Sequence, residues 1–132
     1  MTSYLLDASV LLPLALDDHE FHTLVESWIV NIDSFALCSI VEGALVRTIV
    51  RLGQPPIQAQ RLLSGLYADP RCQFWSDQIS YADTDMTRVV GHRQVTDAYL
   101  VSLVRAHSNT RLATLDVGLA KTYPDIVELV RS

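Results

Sequence analysis

Hydrophobic positions along this chain follow two rhythms. Short, mainly apolar runs at Ser3–Leu6, Ser34–Cys38 and Arg111–Leu115 lack the alternation of a half-solvated strand. They predict strands covered on both faces. Gln73–Trp75 and Ile126–Val130 predict two more. Between them the apolar residues recur every three or four positions. Phe21, Leu24, Val25, Trp28 and Ile29 predict a helix capped by Asp18 and running through Val30. Ser39 opens a second, whose stripe of Leu45, Ile49 and Leu52 is widened by Val46 and Val50 and closed by Gly53. Pro55-Pro56 starts a third through about Tyr67, since proline suits a first helical turn. A helix directly after Asp7 places Pro13 in its opening turns. Tyr81–Val90 and Thr96–His107 predict two further helices.

Short strands alternating with helices imply an α/β domain, a three-layer α/β/α sandwich around a mostly parallel central sheet. No repeat, glycine-rich linker or charge block divides residues 1–132, which read as a single domain. In such sheets ligands bind beyond the carboxyl ends of the strands, where the strand order reverses. The residues at those ends therefore carry the functional question.

Composition narrows the class. The chain is 49% hydrophobic, which excludes a disordered or low-complexity protein. Its longest apolar run, Val10–Leu16, contains Pro13 and is far short of the ~20 residues a spanning helix needs. No basic segment precedes the first apolar stretch, so no signal peptide is expected. Cys38 and Cys72 have no metal-ligand spacing and read as buried thiols in a reducing compartment. A soluble cytoplasmic domain without membrane contact is expected. Nine Arg and one Lys against fifteen acidic residues leave a net charge of −5, unlike a passive nucleic-acid binder.

Four acids fall at one expected edge. Asp7 ends the first strand and Asp116 follows a later one, each in an apolar frame without a basic residue within three positions. An unpaired carboxylate is costly to desolvate there. Each singly reads equally well as a helix cap or turn residue. Ser39-Ile40-Val41-Glu42 fits a capping box, with the glutamate reaching back to the cap backbone. Asp97 follows Thr96 at a helix start, where the dipole favours negative charge. Taken together, four acids on one edge repel one another unless cations intervene. Hard oxygen ligands without clustered His or Cys select Mg²⁺ or Mn²⁺, one or two ions. Carboxylate-held ions of that kind are used for phosphodiester hydrolysis.

Asp7 with Ser9 after an apolar strand, Glu42 early in a helix, Thr96-Asp97-Ala98-Tyr99-Leu100 and Leu112-Ala113-Thr114-Leu115-Asp116 together resemble the PIN domain. More narrowly the chain resembles the VapC toxins of bacterial type II toxin–antitoxin pairs, over essentially its whole length. The resemblance implies a Mg²⁺- or Mn²⁺-dependent endoribonuclease that cleaves cellular RNA, inhibits translation and is silenced by a cognate VapB-type antitoxin. It assigns Asp7, Glu42, Asp97 and Asp116 to the acidic metal site and implies a homodimer. The antitoxin of such pairs often brings an arginine into the acidic site. Ser9 matches a small polar residue beside the first acid, and it also reads as a helix cap. Thr114 lines the site or is an ordinary strand threonine.

Other residues carry weaker signals. Arg93 could hold a phosphate and His92 assist proton transfer, or both decorate a loop. Arg47 and Arg51 share a helix face that suits RNA phosphates or simply solvent. Lys121 is a further phosphate candidate, and Trp28 and Trp75 read as core. The wide apolar faces of Ser39–Leu52 and Pro56–Tyr67 suggest a groove for the antitoxin or a dimer contact. The alternative function is a non-catalytic PIN-like module that binds RNA or a partner without cutting.

Overall fold

A computed structural model describes residues Met1–Arg131. The strands are β1 (Ser3–Leu6), β2 (Ser34–Cys38), β3 (Cys72–Trp75), β4 (Thr110–Thr114) and β5 (Val127–Leu129). The helices are α1 (Ala8–Ala15), α2 (His22–Ile29), α3 (Ser39–Arg51), α4 (Pro56–Tyr67), α5 (Val95–Arg105) and α6 (Val117–Thr122). The strands form one sheet in the order β3-β2-β1-β4-β5, and all four pairings are parallel. Helices α1 to α4 pack on one another, while α5 and α6 lie against β4 and α6 also touches β5. This is the expected three-layer α/β/α architecture.

Strand order reverses between β1 and β4, whose register pairs Ser3 with Thr110 and Leu6 with Ala113. Because every strand runs the same way, Asp7, Asp77 and Asp116 all follow strand ends at one edge of the sheet. Beneath that edge Leu5, Leu6, Val10, Leu11, Phe35, Leu37, Leu45, Leu100, Leu103 and Leu112 are fully buried. Each such side chain contributes roughly 1.5–3 kcal/mol by leaving water. Trp75 belongs to this core and stacks on His107, with ring centroids 3.7 Å apart. Trp28 packs edge-on against Tyr4. No helix among the described residues is long and apolar enough to cross a membrane.

Several local expectations need correction. Tyr81–Val90 is not a helix, and only Tyr81–Asp83 forms a 3₁₀ turn. Side chains take over the backbone there: Asp85 Oδ1 accepts from the Thr87 N–H and hydroxyl, and Ser80 Oγ accepts from the Ala82 N–H. Such local bonds compete with a helical ladder. Helix α2 begins at His22, not Asp18, and its N-cap Phe21 makes no side-chain cap bond. The intervening residues turn instead, through the His19 N–H to Leu16 O and the His22 N–H to His19 O. Pro13 is the sixth residue of α1, beyond the opening turn, and its carbonyl accepts from His22 Nδ1 at 2.8 Å. Strand β3 is an edge strand with Gln73 and Phe74 exposed, not a strand covered on both faces. Helix α6, which directly follows Asp116, is an element that hydrophobic rhythm alone did not predict.

Candidate active site

The carboxylate of Asp7 lies at the centre of a bonded network. It is buried, and its Oδ1 accepts from the Ala8 N–H at 2.8 Å. Its Oδ2 receives the Ser9 hydroxyl at 2.9 Å and the Thr114 hydroxyl at 2.8 Å. Those two hydroxyls in turn accept backbone N–H groups from the far side: Leu115 to Ser9 Oγ and Asp116 to Thr114 Oγ1, both at 3.0 Å. Two hydroxyls thus lock the end of β1 to the turn after β4. Thr114 is fully buried and is no ordinary strand threonine. Ser9 lies inside α1, and Asp7, not Ser9, is the N-cap.

Asp116 is the N-cap of α6, and its Oδ1 accepts from Gly118 N at 2.8 Å and Leu119 N at 3.2 Å. A Cβ on Gly118 would sit 3.2 Å from that oxygen, so glycine gives the capping loop its close approach. Among the described residues no donor reaches Oδ2. Capping and exposure to the site are therefore compatible in one side chain.

Asp97 stands in the first turn of α5. No donor among the described residues bonds its carboxylate, and its pKa is pushed up to about 6. Burial is the main cause, followed by the negative charges of Asp7 and then Asp116. The helix dipole does not outweigh them. Asp97 and Asp116 share a pocket of about 230 Å³ with Arg88, Gln94 and Tyr123.

Glu42 takes a different position. The capping-box bond is absent, and its Oε2 accepts the Tyr67 hydroxyl at 2.7 Å. Burial first, then that bond, pushes the Tyr67 hydroxyl well up, so it remains a donor. The Glu42 charge also reaches the thiols of Cys38 and Cys72, towards the β2–β3 side of the edge. Both cysteines are free thiols, one buried and one half-buried. The charges of Asp7 and Asp116 both act on Asp97, while Glu42 is held beside Tyr67. Among the described residues no three His, Cys, Asp or Glu side chains are drawn into metal-ligating geometry. Yet the donor chemistry fits a hard divalent cation: all oxygen, one carboxylate unpartnered, and like charges facing across a partly buried edge.

Arg88 was not legible as a site residue. Its Nη1 donates to the Thr122 carbonyl at 2.8 Å and its guanidinium covers the Tyr123 ring, 5.1 Å from the centroid. Asp77 is a further acid at this edge. It lies two residues beyond β3, and its charge acts on Cys38 and Tyr99. An aspartate following an apolar strand was the available signal. Arg93 and His92 are exposed in a 3₁₀ turn before α5, outside the residues lining the acidic pocket. Arg47 and Arg51 are both exposed, and Arg47 runs back along α3 to bring Nη1 close over Gly43. Lys121 lines a separate hollow with Arg111, Glu128 and Arg131.

Comparison with known proteins bears on the family and the fold. The PIN domain profile matches residues 4–123. Ribonuclease VapC29 of Mycobacterium tuberculosis is 43% identical over 127 residues, covering 96% of this chain and 95% of the relative. In fold, the chain resembles the crystal structure of Mycobacterium tuberculosis VapC20, described as a sarcin-ricin loop cleaving toxin. That match has a TM-score of 0.73 at 14% identity and covers 98% and 99% of the two chains. It also resembles VapBC2 from Rickettsia felis, solved bound to a DNA fragment from its promoter, with a TM-score of 0.62 at 16% identity. There the coverage is 96% of this chain and 98% of the other. With its all-parallel sheet and this kinship in agreement, the chain belongs to the PIN-domain family and groups within it with the VapC ribonucleases.

Proposed function

We propose that this protein is a metal-dependent endoribonuclease toxin that cuts cellular RNA, with Mg²⁺ or Mn²⁺ held at its acidic edge. The observation that carries the reading is Asp97: a half-buried carboxylate without a donor, lining one pocket with Asp116 and within electrostatic reach of Asp7. Asp7, Asp97 and Asp116 would hold the cation, with Glu42 as a further ligand or water-orienting group. A divalent ion bound there supplies acidity for the attacking water and positive charge for the developing phosphorane oxygens.

The chain's own residues do the remaining work. Ser9 and Thr114 fix Asp7 so that its carboxylate does not rotate on approach of an anion. Tyr67 holds one oxygen of Glu42 and leaves Oε1 to orient water. Arg88 lines the same pocket as Asp97 and Asp116 and suits a phosphate of the RNA backbone. Among the described residues no serine or cysteine of the site is bonded to a histidine, so direct attack by water is the route this arrangement serves.

The family supports a VapB-type antitoxin as partner, since one fold neighbour is a VapBC structure. Val50, Leu52 and Ile57 are 49%, 60% and 47% exposed around the α3–α4 junction. They offer apolar surface to an antitoxin segment or a second copy, and the working state is a cytoplasmic dimer under antitoxin control.

The test is cleavage of total RNA by purified protein in Mg²⁺, in Mn²⁺ and in EDTA, beside Asp97→Asn. Discrete, metal-dependent cuts that vanish in EDTA and in the variant are expected. A wild-type protein that binds RNA without cutting it in either metal would overturn the reading in favour of a binding module.

A further inference from the structure

Beside the acidic edge a groove of about 410 Å³ begins at Ser9 and Asp116 and runs between α1, α3 and the turn before α2. Its apolar lining includes Leu12, Ala44 and Leu115. Phe21 and His19 complete it, their rings tilted against each other with centroids 5.9 Å apart. Phe21 is 42% exposed although it is a large aromatic side chain at a helix start. The Phe21 N–H donates to His19 Nδ1 at 3.1 Å, which fixes that ring and puts the proton of neutral His19 on Nε2. Among the described residues no Lys or Arg lines the groove, and its charged lining residues, Glu20 and Asp116, are acids.

From this we infer that the groove is a subsite for one unstacked nucleobase of the RNA, next to the bond that is cut. The inference rests on the nuclease reading. Acidic lining disfavours the phosphate backbone, while a flat uncharged ring suits an apolar slot walled by an aromatic side chain. His19 adds a donor with a fixed tautomer, which can distinguish base edges by their acceptors. Continuity with the site selects the occupant: Ser9 is bonded to Asp7, and Asp116 belongs to both the groove and the acidic pocket. A base lodged there belongs to a nucleotide flanking the scissile phosphate.

The experiment is cut-site mapping. A total-RNA pool is digested in Mg²⁺ by wild type, Phe21→Ala and Ala44→Leu, and the new RNA ends are sequenced. Phe21→Ala removes the stacking ring, whereas Ala44→Leu fills the slot, and thermal unfolding by circular dichroism checks that each variant folds. Wild type is expected to show a base preference at one position beside the cut. Both variants are expected to lose that preference and to cut about tenfold more slowly at low RNA concentration, the effect of losing one base–aromatic stack. Wild-type cutting without base preference, or variants that keep both preference and rate, would overturn the subsite while leaving the nuclease intact. So would variants that cut normally but change the chain's oligomeric state by light scattering, because a second copy would then cover the groove. A wild type that cuts no RNA defeats the nuclease reading itself, and the subsite with it.

Discussion

The Tyr67 hydroxyl, at the end of α4, donates a 2.7 Å hydrogen bond to Glu42 in the first turn of α3. The Tyr67 ring packs edge-on against Phe74 of β3, so three elements fix the orientation of one carboxylate. Tyr67→Phe keeps the ring and removes the bond. It is expected to lower kcat several-fold with little change in KM, to weaken Mg²⁺ binding measured by calorimetry, and to cost about 1 kcal/mol of stability. The same change made in a Glu42→Gln background should add almost nothing to either kcat or metal affinity. An additive double variant would show that Tyr67 acts elsewhere.

Asp97 makes stability depend on pH in a defined direction. Its folded pKa of about 6 lies above the ordinary aspartate value, so between roughly pH 4 and 6 the folded chain binds more protons than the unfolded one. Stability from this group is therefore fully present below pH 4 and lost as pH rises through 6. After discounting for solvent screening of a half-exposed group, the loss is about 1 kcal/mol. Metal-free Asp97→Asn is expected to melt at a higher temperature than wild type at pH 7.5, with the gap closing at pH 4.5. Thermal unfolding by circular dichroism at both pH values decides it.

Thr114→Val removes the donor to Asp7 and the acceptor for the Asp116 N–H in one step. Two buried polar groups lose partners, so a destabilisation of about 1–3 kcal/mol is expected. RNA cleavage should fall by at least tenfold, and Thr114→Ser should restore most of it. Urea unfolding paired with a cleavage assay separates this from a purely structural loss, which would leave the specific activity of the folded fraction unchanged.

Arg88→Ala is expected to raise KM for RNA about tenfold and to leave kcat within a few-fold of wild type. A phosphate contact also predicts that the slope of log affinity against log salt drops by about one. An unchanged slope would assign Arg88 to holding Thr122 and Tyr123 alone.

The aspartates after β1 and β4 were legible because an apolar strand that stops at an acid is an expensive arrangement unless that acid has work to do. Parallel topology followed from the helix–strand alternation, and it alone put those acids on one edge. What escaped was pairwise and long-range. Ser39 and Glu42 fit a capping box by spacing, but Tyr67, 25 residues away, claims the carboxylate. Thr114 looked like any strand threonine because its partner Asp7 is 107 residues distant. The stretch after Tyr81 has helical spacing of its apolar positions, yet Ser80 and Asp85 bind their own backbone instead. Arg88 lies in that irregular stretch, where no periodicity assigns it a direction.

The bond from Thr114 to Asp7 also sets a timetable. Until β4 docks, β1 has a bare edge, and the carboxylate at its end lacks both Asp116 and one of the two hydroxyls that steady it. A copy still being synthesised, or one truncated before its last quarter, therefore carries scattered acids but no assembled acidic edge. On the nuclease reading proposed above, folding to completion and becoming active are a single event, and the interval before it is a grace period.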